Sequence, residues 1–240
     1  MSQVSLYDLP SKGRCACWSL NPWKTRLALN FKGVDYKTEW VEYPDIASTL
    51  KPRVEPNKPS LNPVQYSIPT ARFPDNTYIM DSKAIALRLE KDYPSPSMHL
   101  NSPILPEVEK VVPSINAALR GVWCPKVPPQ LLNEPSREYF VRTREERFGI
   151  KFENMAETMG GEEAWMEALP GIKALGEILR KNGGPFVQGE TVSYADFVIV
   201  GWLRFYKVIE EDLFKRVVDI EPALGKLYYA SKQWLERDDH

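Results

Sequence analysis

The stretch CACWSLNPWKTR, residues 15–26, places two thiols and a hydroxyl within five positions: Cys15, Cys17 and Ser19. An apolar helical pattern follows directly. Thr25, Leu27, Ala28 and Phe31 can line one face of a helix over 23–32, and Gly33 is a good stop. A helix N-terminus offers unpaired N–H groups and a partial positive charge, so it stabilises an anion placed there. A hydroxyl at that point can donate a hydrogen bond to a bound thiolate. Bringing a thiol from about pKa 8.5 into the neutral range takes roughly 2.7 kcal/mol, which one hydrogen bond to a charge and a helix dipole can supply together. The same residues have a plainer reading. Ser19, or Asn21 just before Pro22, can be a simple N-cap, and the cysteines can be small buried hydrophobes.

Three further stretches place reactive or binding groups at element ends. In Tyr66-Ser67-Ile68-Pro69-Thr70 a proline interrupts a strand-like run. It cannot donate to a sheet ladder, so it marks an edge or a kink, where the Ile68 backbone can pair with a peptide-like ligand or the proline is only a turn residue. Asp81-Ser82 opens the next helical pattern. Its N-terminus attracts a carboxylate, Ser82 can donate to that carboxylate, and Asp81 can pair with an ammonium or act only as a cap. Ser193 and Asp196, three apart before the apolar run FVIVGWLRF, form a capping-box pattern with a structural role.

Bulk composition narrows the function classes. Net charge is −1 with acids and bases interspersed, which argues against a nucleic-acid footprint or a polybasic membrane patch. No run approaches the length of a membrane span, and residues 1–14 lack a charged start followed by an apolar stretch. The expectation is a cytoplasmic protein with no nucleic-acid or membrane partner. Three cysteines are too few and odd in number for a disulfide framework. Only His99 and His240 are histidines, so a Ser-His-Asp triad or a histidine-rich metal site is not expected, and no metal is assigned.

The elements that would position these groups alternate in type at first. Strands are expected over 4–8, 36–43, 67–73 and 77–80, and helices over 23–32, 44–54 and 81–92. Strand signals then vanish. Helices are expected over 107–123, 135–159, 162–181, 193–210 and 223–237. The predicted organisation is an α/β domain at 1–93, a proline- and serine-rich linker at 94–105 and an all-α domain at 106–240.

Taken together, WSLNPWKTRLALNFKGV, YSIPT, MDSKAIALRLEKDYP and QGETVSYADF resemble, in order and spacing, the cytosolic glutathione transferases. The segment WKTRLALNFKGVDYKTEWVEYPDI is most similar to the fungal FuA class, itself similar to bacterial lignin β-etherases. The resemblance implies a thioredoxin-like N-terminal domain that holds glutathione as co-substrate. It implies a helical C-terminal domain that completes an apolar site for a small aromatic or electrophilic molecule, and a homodimer. Carried over by position, Ser19 falls at the thiol-activating site. Ile68 and Pro69 match the cis-proline turn that pairs with the cysteinyl backbone, and Asp81 and Ser82 match the pair that holds the γ-glutamyl end. Gln65, Lys51 and Lys58 are candidates for the glycine end. Leu20, Asn21 and Trp123 are candidates for the aromatic site. Many relatives carry a proline directly after the activating residue, whereas here Leu20 follows and Pro22 comes two positions later. Two other functions stay open at this point: a carrier of aromatic ligands, and a thiol transferase using Cys15 or Cys17 to deglutathionylate.

Overall fold

The computed structural model describes residues 3–60 and 64–239. Pro63, His240 and the expected domain ends at 1 and 240 lie outside them. Among the described residues one four-stranded sheet forms, ordered β2-β1-β3-β4. Strand β1 is Val4–Asp8, with every residue buried, as a central strand covered on both faces requires. It pairs parallel with β2 (Tyr36–Trp40) and antiparallel with β3 (Thr70–Arg72), which pairs antiparallel with β4 (Tyr78–Met80). Helix α1 (Leu20–Lys32) makes the parallel crossover, α2 (Ile46–Leu50) follows β2 after a short 3-10 turn at Tyr43–Asp45, and α3 (Ser82–Asp92) follows β4. This is the thioredoxin-like arrangement expected from the sequence, followed by helices alone.

Those helices are α4 (Leu105–Ala118), α5 (Arg120–Trp123), α6 (Val127–Leu131), α7 (Glu134–Phe148), α8 (Met155–Met159), α9 (Gly161–Lys181), α10 (Tyr194–Ile209), α11 (Glu211–Ile220) and α12 (Pro222–Ala230). Several boundaries differ from the sequence reading. The helix expected over 135–159 is interrupted at Gly149, whose φ of 66° ends α7 in the left-handed conformation that glycine adopts freely. The helix expected over 107–123 is broken at Leu119. Helices α6 and α11 were not anticipated: the first is a single turn built on two prolines, and the second follows α10 with only Glu210 between them.

Three polar contacts fix how the elements sit. On α1, the Arg26 side chain is fully buried. Its guanidinium donates to Asp8 Oδ2 on β1 at 2.8 Å and to Thr38 Oγ1 on β2 at 2.8 Å. Lys32, at the other end of α1, donates to Glu90 Oε2 and to the carbonyls of Tyr93 and Pro96, which ties the helix to the end of α3 and to the connection beyond it. Asp196 accepts from the Val187 and Ser193 amides and the Ser193 hydroxyl, all at 2.8 Å, and so forms the expected capping box at the start of α10.

Helix α10 lies directly against α1. A methyl group at Gly201 would stand 3.0 Å from the Leu20 carbonyl oxygen, so the absence of a side chain there sets the distance between the two helices. The aromatic rings of Phe31, Phe197 and Trp234 interlock edge-to-face in the same seam.

Removing one partner of a buried ion pair strands the other charge in the interior, at about 3–5 kcal/mol. Asp8→Ala is therefore expected to lower stability by about that amount in urea denaturation. The Asp8→Ala/Arg26→Met double variant should lose less than Asp8→Ala alone. Equal or greater loss in the double variant would show that the pair does not govern this packing.

Candidate functional site

Ser19 stands at the end of the loop that leads from β1 into α1. Its backbone is extended (φ −78°, ψ 138°), and its carbonyl accepts from the Trp23 amide at 3.1 Å as the first turn closes. The hydroxyl makes no capping hydrogen bond to the helix. The N-cap reading therefore describes the Ser19 backbone but not its side chain, which is uncommitted among the described residues. Asn21, the other capping candidate, lies inside the first turn and is exposed. Pro22 is tolerated there because the amides of a first turn have no intrahelical partner. That turn carries no acidic residue, so its partial positive charge is not neutralised by its own helix.

Ser19 and Asn21 open into a cleft of about 820 Å³. One wall is Gln65, Tyr66, Ser67 and Ile68; the opposite wall comes from the 3-10 turn and α7. The Ile68–Pro69 peptide is cis. Among the described residues no hydrogen bond engages the Ile68 amide or carbonyl. The Pro69 carbonyl accepts from the Asp81 amide at 3.1 Å, which joins this turn to the start of α3. Asp81 has a φ of 87°, unusual for a residue with a side chain. Its Oδ1 accepts from the Lys83 and Ala84 amides at 2.9 and 3.1 Å, so one carboxylate oxygen caps α3 and the other projects free of that cap. Ser82 beside it is buried.

The sequence candidates thus fall into two groups. Ser19, Asn21, Gln65 and Ile68 line the cleft, with Pro69, Asp81 and Ser82 joined to it through the Pro69 carbonyl. Leu20 and Trp123 are not among the lining residues. Leu20 packs into the seam against α10. Trp123 donates its indole N–H to the Asn116 carbonyl at 2.8 Å and packs edge-to-face on Phe205, so its ring is held in the helical core. Lys51 and Lys58 border a shallow depression beside β4 instead, which leaves Gln65 as the one glycine-end candidate on the cleft.

The wall that sequence reasoning missed is Tyr43, Tyr139, Thr143, Arg144 and Arg147. A signal was available: Tyr139, Thr143 and Arg147 recur at every fourth position, one face of a helix. Tyr43 and Tyr139 lie parallel, 8° apart in plane with centroids at 6.0 Å.

The cysteines are differently placed. Burial, and then the nearby Asp8 carboxylate, push the Cys17 thiol well above its ordinary pKa. Burial also raises Cys15, which is partly exposed, and Cys124 is pushed up to about 12 by the same cause. None has the low-pKa, accessible environment of a reactive thiol.

Two family models match the chain: the glutathione S-transferase N-terminal domain over residues 18–92, and its C-terminal domain over 108–225. The chain belongs to the glutathione S-transferase family. It is 31% identical to the glutathione S-transferase-like protein ustS of Aspergillus flavus, over 98% of this chain and 92% of that one. Its fold superposes with a TM-score of 0.86 on glutathione transferase GSTFuA3 of Phanerochaete chrysosporium, at 30% identity over 98% of both chains. It superposes equally well on CsGST63524 of Ceriporiopsis subvermispora, a structure in complex with glutathione, at 33% identity over 97% of this chain and 98% of that one. Family membership and fold agree with the resemblance drawn from the sequence.

The raised thiols of this family member predict an outcome. Cys15→Ala/Cys17→Ala should keep conjugating turnover within about twofold, and incubation with oxidised glutathione should add no mass at either position in the native protein. A stable glutathione adduct on Cys15 or Cys17, with loss of activity on its removal, would move the chemistry to the thiol.

Proposed function

We propose that the chain is a serine-type glutathione transferase that activates the glutathione thiol and directs it at hydrophobic aromatic electrophiles. The observation that carries this is the Ser19 hydroxyl. It is uncommitted, it sits at an α1 N-terminus that holds no acid, and it faces the cleft. The site fits the tripeptide in three respects. The Ile68 backbone offers an unused amide and carbonyl for strand-like pairing with the cysteinyl residue. Asp81 presents a carboxylate oxygen beyond its cap for an ammonium group, and Ser82 with the first amides of α3 suits the adjoining carboxylate. Gln65 is placed for the glycine end.

In this reading Ser19 donates a hydrogen bond to the glutathione sulfur and the helix end stabilises the charge left when the thiol loses its proton. The protein is not the nucleophile. It holds the sulfur, excludes competing orientations and faces it toward the second half of the cleft. The structural likeness to FuA-class transferases supports aromatic ethers and related wood-derived aromatics as electrophiles, in the etherase manner. A cytoplasmic homodimer, with domains divided at 1–93 and 106–240, completes the reading. No helix among the described residues is long and apolar enough to cross a membrane.

A carrier function is the second reading, and one observation favours it: the aromatic wall of Tyr43 and Tyr139 suits planar ligands whether or not they react.

Ser19→Ala separates the two. Turnover with a chromogenic aromatic halide should fall at least tenfold, about 1.4 kcal/mol of transition-state stabilisation, while the rise in melting temperature with millimolar reduced glutathione persists. Turnover at the wild-type level would remove Ser19 from the mechanism. Tight binding of polyphenols by a wild-type protein with negligible turnover would favour the carrier.

A further inference from the structure

The wall of the cleft formed by α7 is cationic as well as aromatic. Arg144 and Arg147 line it, and Arg120 is close enough that both Arg144 and Arg120 depress the basicity of Arg147, after burial. Among the described residues none of these three arginines forms an ion pair. The neighbouring acids are already engaged. Glu146, which also lines the cleft, pairs with Arg142 at 3.0 Å. Glu145 accepts from the Phe152 amide and lies 3.6 Å from Lys151. Glu42, beside Tyr43, accepts from Asn133 and Ser136.

Like charges left together without counterions destabilise the fold that holds them. Here ring and hydroxyl contacts hold one of them in place. The Arg144 guanidinium lies 3.9 Å from the Phe140 ring centroid and 5.3 Å from that of Tyr43, and donates to Thr143 Oγ1 at 2.9 Å. Stacking fixes its plane, a hydrogen bond to the Tyr43 hydroxyl engages a further donor, and the rest of the fork is left for a ligand. The parallel rings of Tyr43 and Tyr139 stand on the same wall.

We propose that this wall selects a planar aromatic second substrate bearing an anionic group, a carboxylate, sulfonate or phenolate. The ring lies along Tyr43 and Tyr139, and the anion is held by Arg144 and Arg147. The proposal deepens the transferase reading and rests on the same cleft. It narrows the electrophile from any hydrophobic aromatic to an acidic one. The same arginines suit any carboxylate, including the glycine end of glutathione, and the test is built to tell the two apart.

The test uses the full chain, saturated with reduced glutathione, and two fluorescent probes with the same ring system: anilinonaphthalene sulfonate and its uncharged parent, phenylnaphthylamine. The sulfonate should bind at least tenfold more tightly than the neutral probe, with a preference that shrinks as salt is raised. Arg144→Gln/Arg147→Gln should cut sulfonate affinity at least tenfold and leave the neutral probe within twofold. Arg144→Lys/Arg147→Lys, which keeps the charge, should recover part of the loss and guards against a variant that merely misfolds. Equal affinity for the two probes, or an unchanged sulfonate affinity in the glutamine variant, overturns the proposal. If the glutamine variant instead loses the glutathione-dependent rise in melting temperature, the arginines hold the tripeptide and the proposal fails while the transferase reading stands. A wild-type protein that shows no such rise fails the transferase reading itself, whatever the probes do.

Discussion

Arg26 carries a full charge into the interior, and the placement of α1 against the sheet follows from how that charge is satisfied. Both it and Asp8 are fully shielded from solvent, so each must be met by the other and by neutral partners at close range. Asp8 ends β1, Thr38 is on β2, and Arg26 is the seventh residue of α1. One side chain therefore pins a helix to two strands. A shift of α1 by one residue would turn it by about 100° and leave both charges unpaired. Ser19, immediately before α1, inherits that rigidity, and Gly201 extends it by letting α10 close on the same helix. The hydroxyl is thus delivered to the cleft by a buried ion pair some seven residues away, not by contacts of its own.

The cleft that results has two chemically different halves. On one side are a helix terminus without an acid, an uncommitted hydroxyl and an unpaired stretch of backbone at Ile68, a combination that suits a thiol-bearing peptide. On the other are parallel tyrosine rings and arginines without counterions. Both halves raise the local electrostatic potential. A positive site favours a thiolate and an acidic electrophile alike, so the two substrates would draw on the same field for different purposes. Cys17, by contrast, lies beneath this surface beside the Asp8 carboxylate, where ionisation is opposed. Burial, not residue type, sets the two thiols apart from the Ser19 hydroxyl, which is uncommitted on the cleft.

Much of this was legible in the sequence where a local rule operates alone. Strand β1 coincides with its expected span because a short β-rich run there meets no competing signal. The capping box of Ser193 and Asp196 was readable because its spacing is its mechanism. Strand β3 is shorter than expected because Pro69 and the turn before it cannot join the ladder. Helix α1 begins at Leu20, three residues earlier than expected, because Pro22 falls in the one turn that tolerates it. What could not be read depends on distant segments meeting. Trp123 looked like a substrate contact but packs on Phe205, more than eighty residues later in the chain. The pairing of Tyr43 with Tyr139 joins a turn in the first half of the chain to α7 in the second. The positive φ of Asp81 is imposed by the junction of β4, Pro69 and α3 and has no local signature.

The central claim is that Ser19 and the end of α1 lower the pKa of a bound thiol. The direct measurement is a pH titration of the ultraviolet difference absorbance of the thiolate, made on the glutathione complex of the wild-type protein and of Ser19→Ala. The account predicts a bound thiol that titrates about two units below free glutathione in the wild type, and at least one unit higher in the variant. A thiol that titrates at its free value in the wild type, or at the same pH in both proteins, would contradict it.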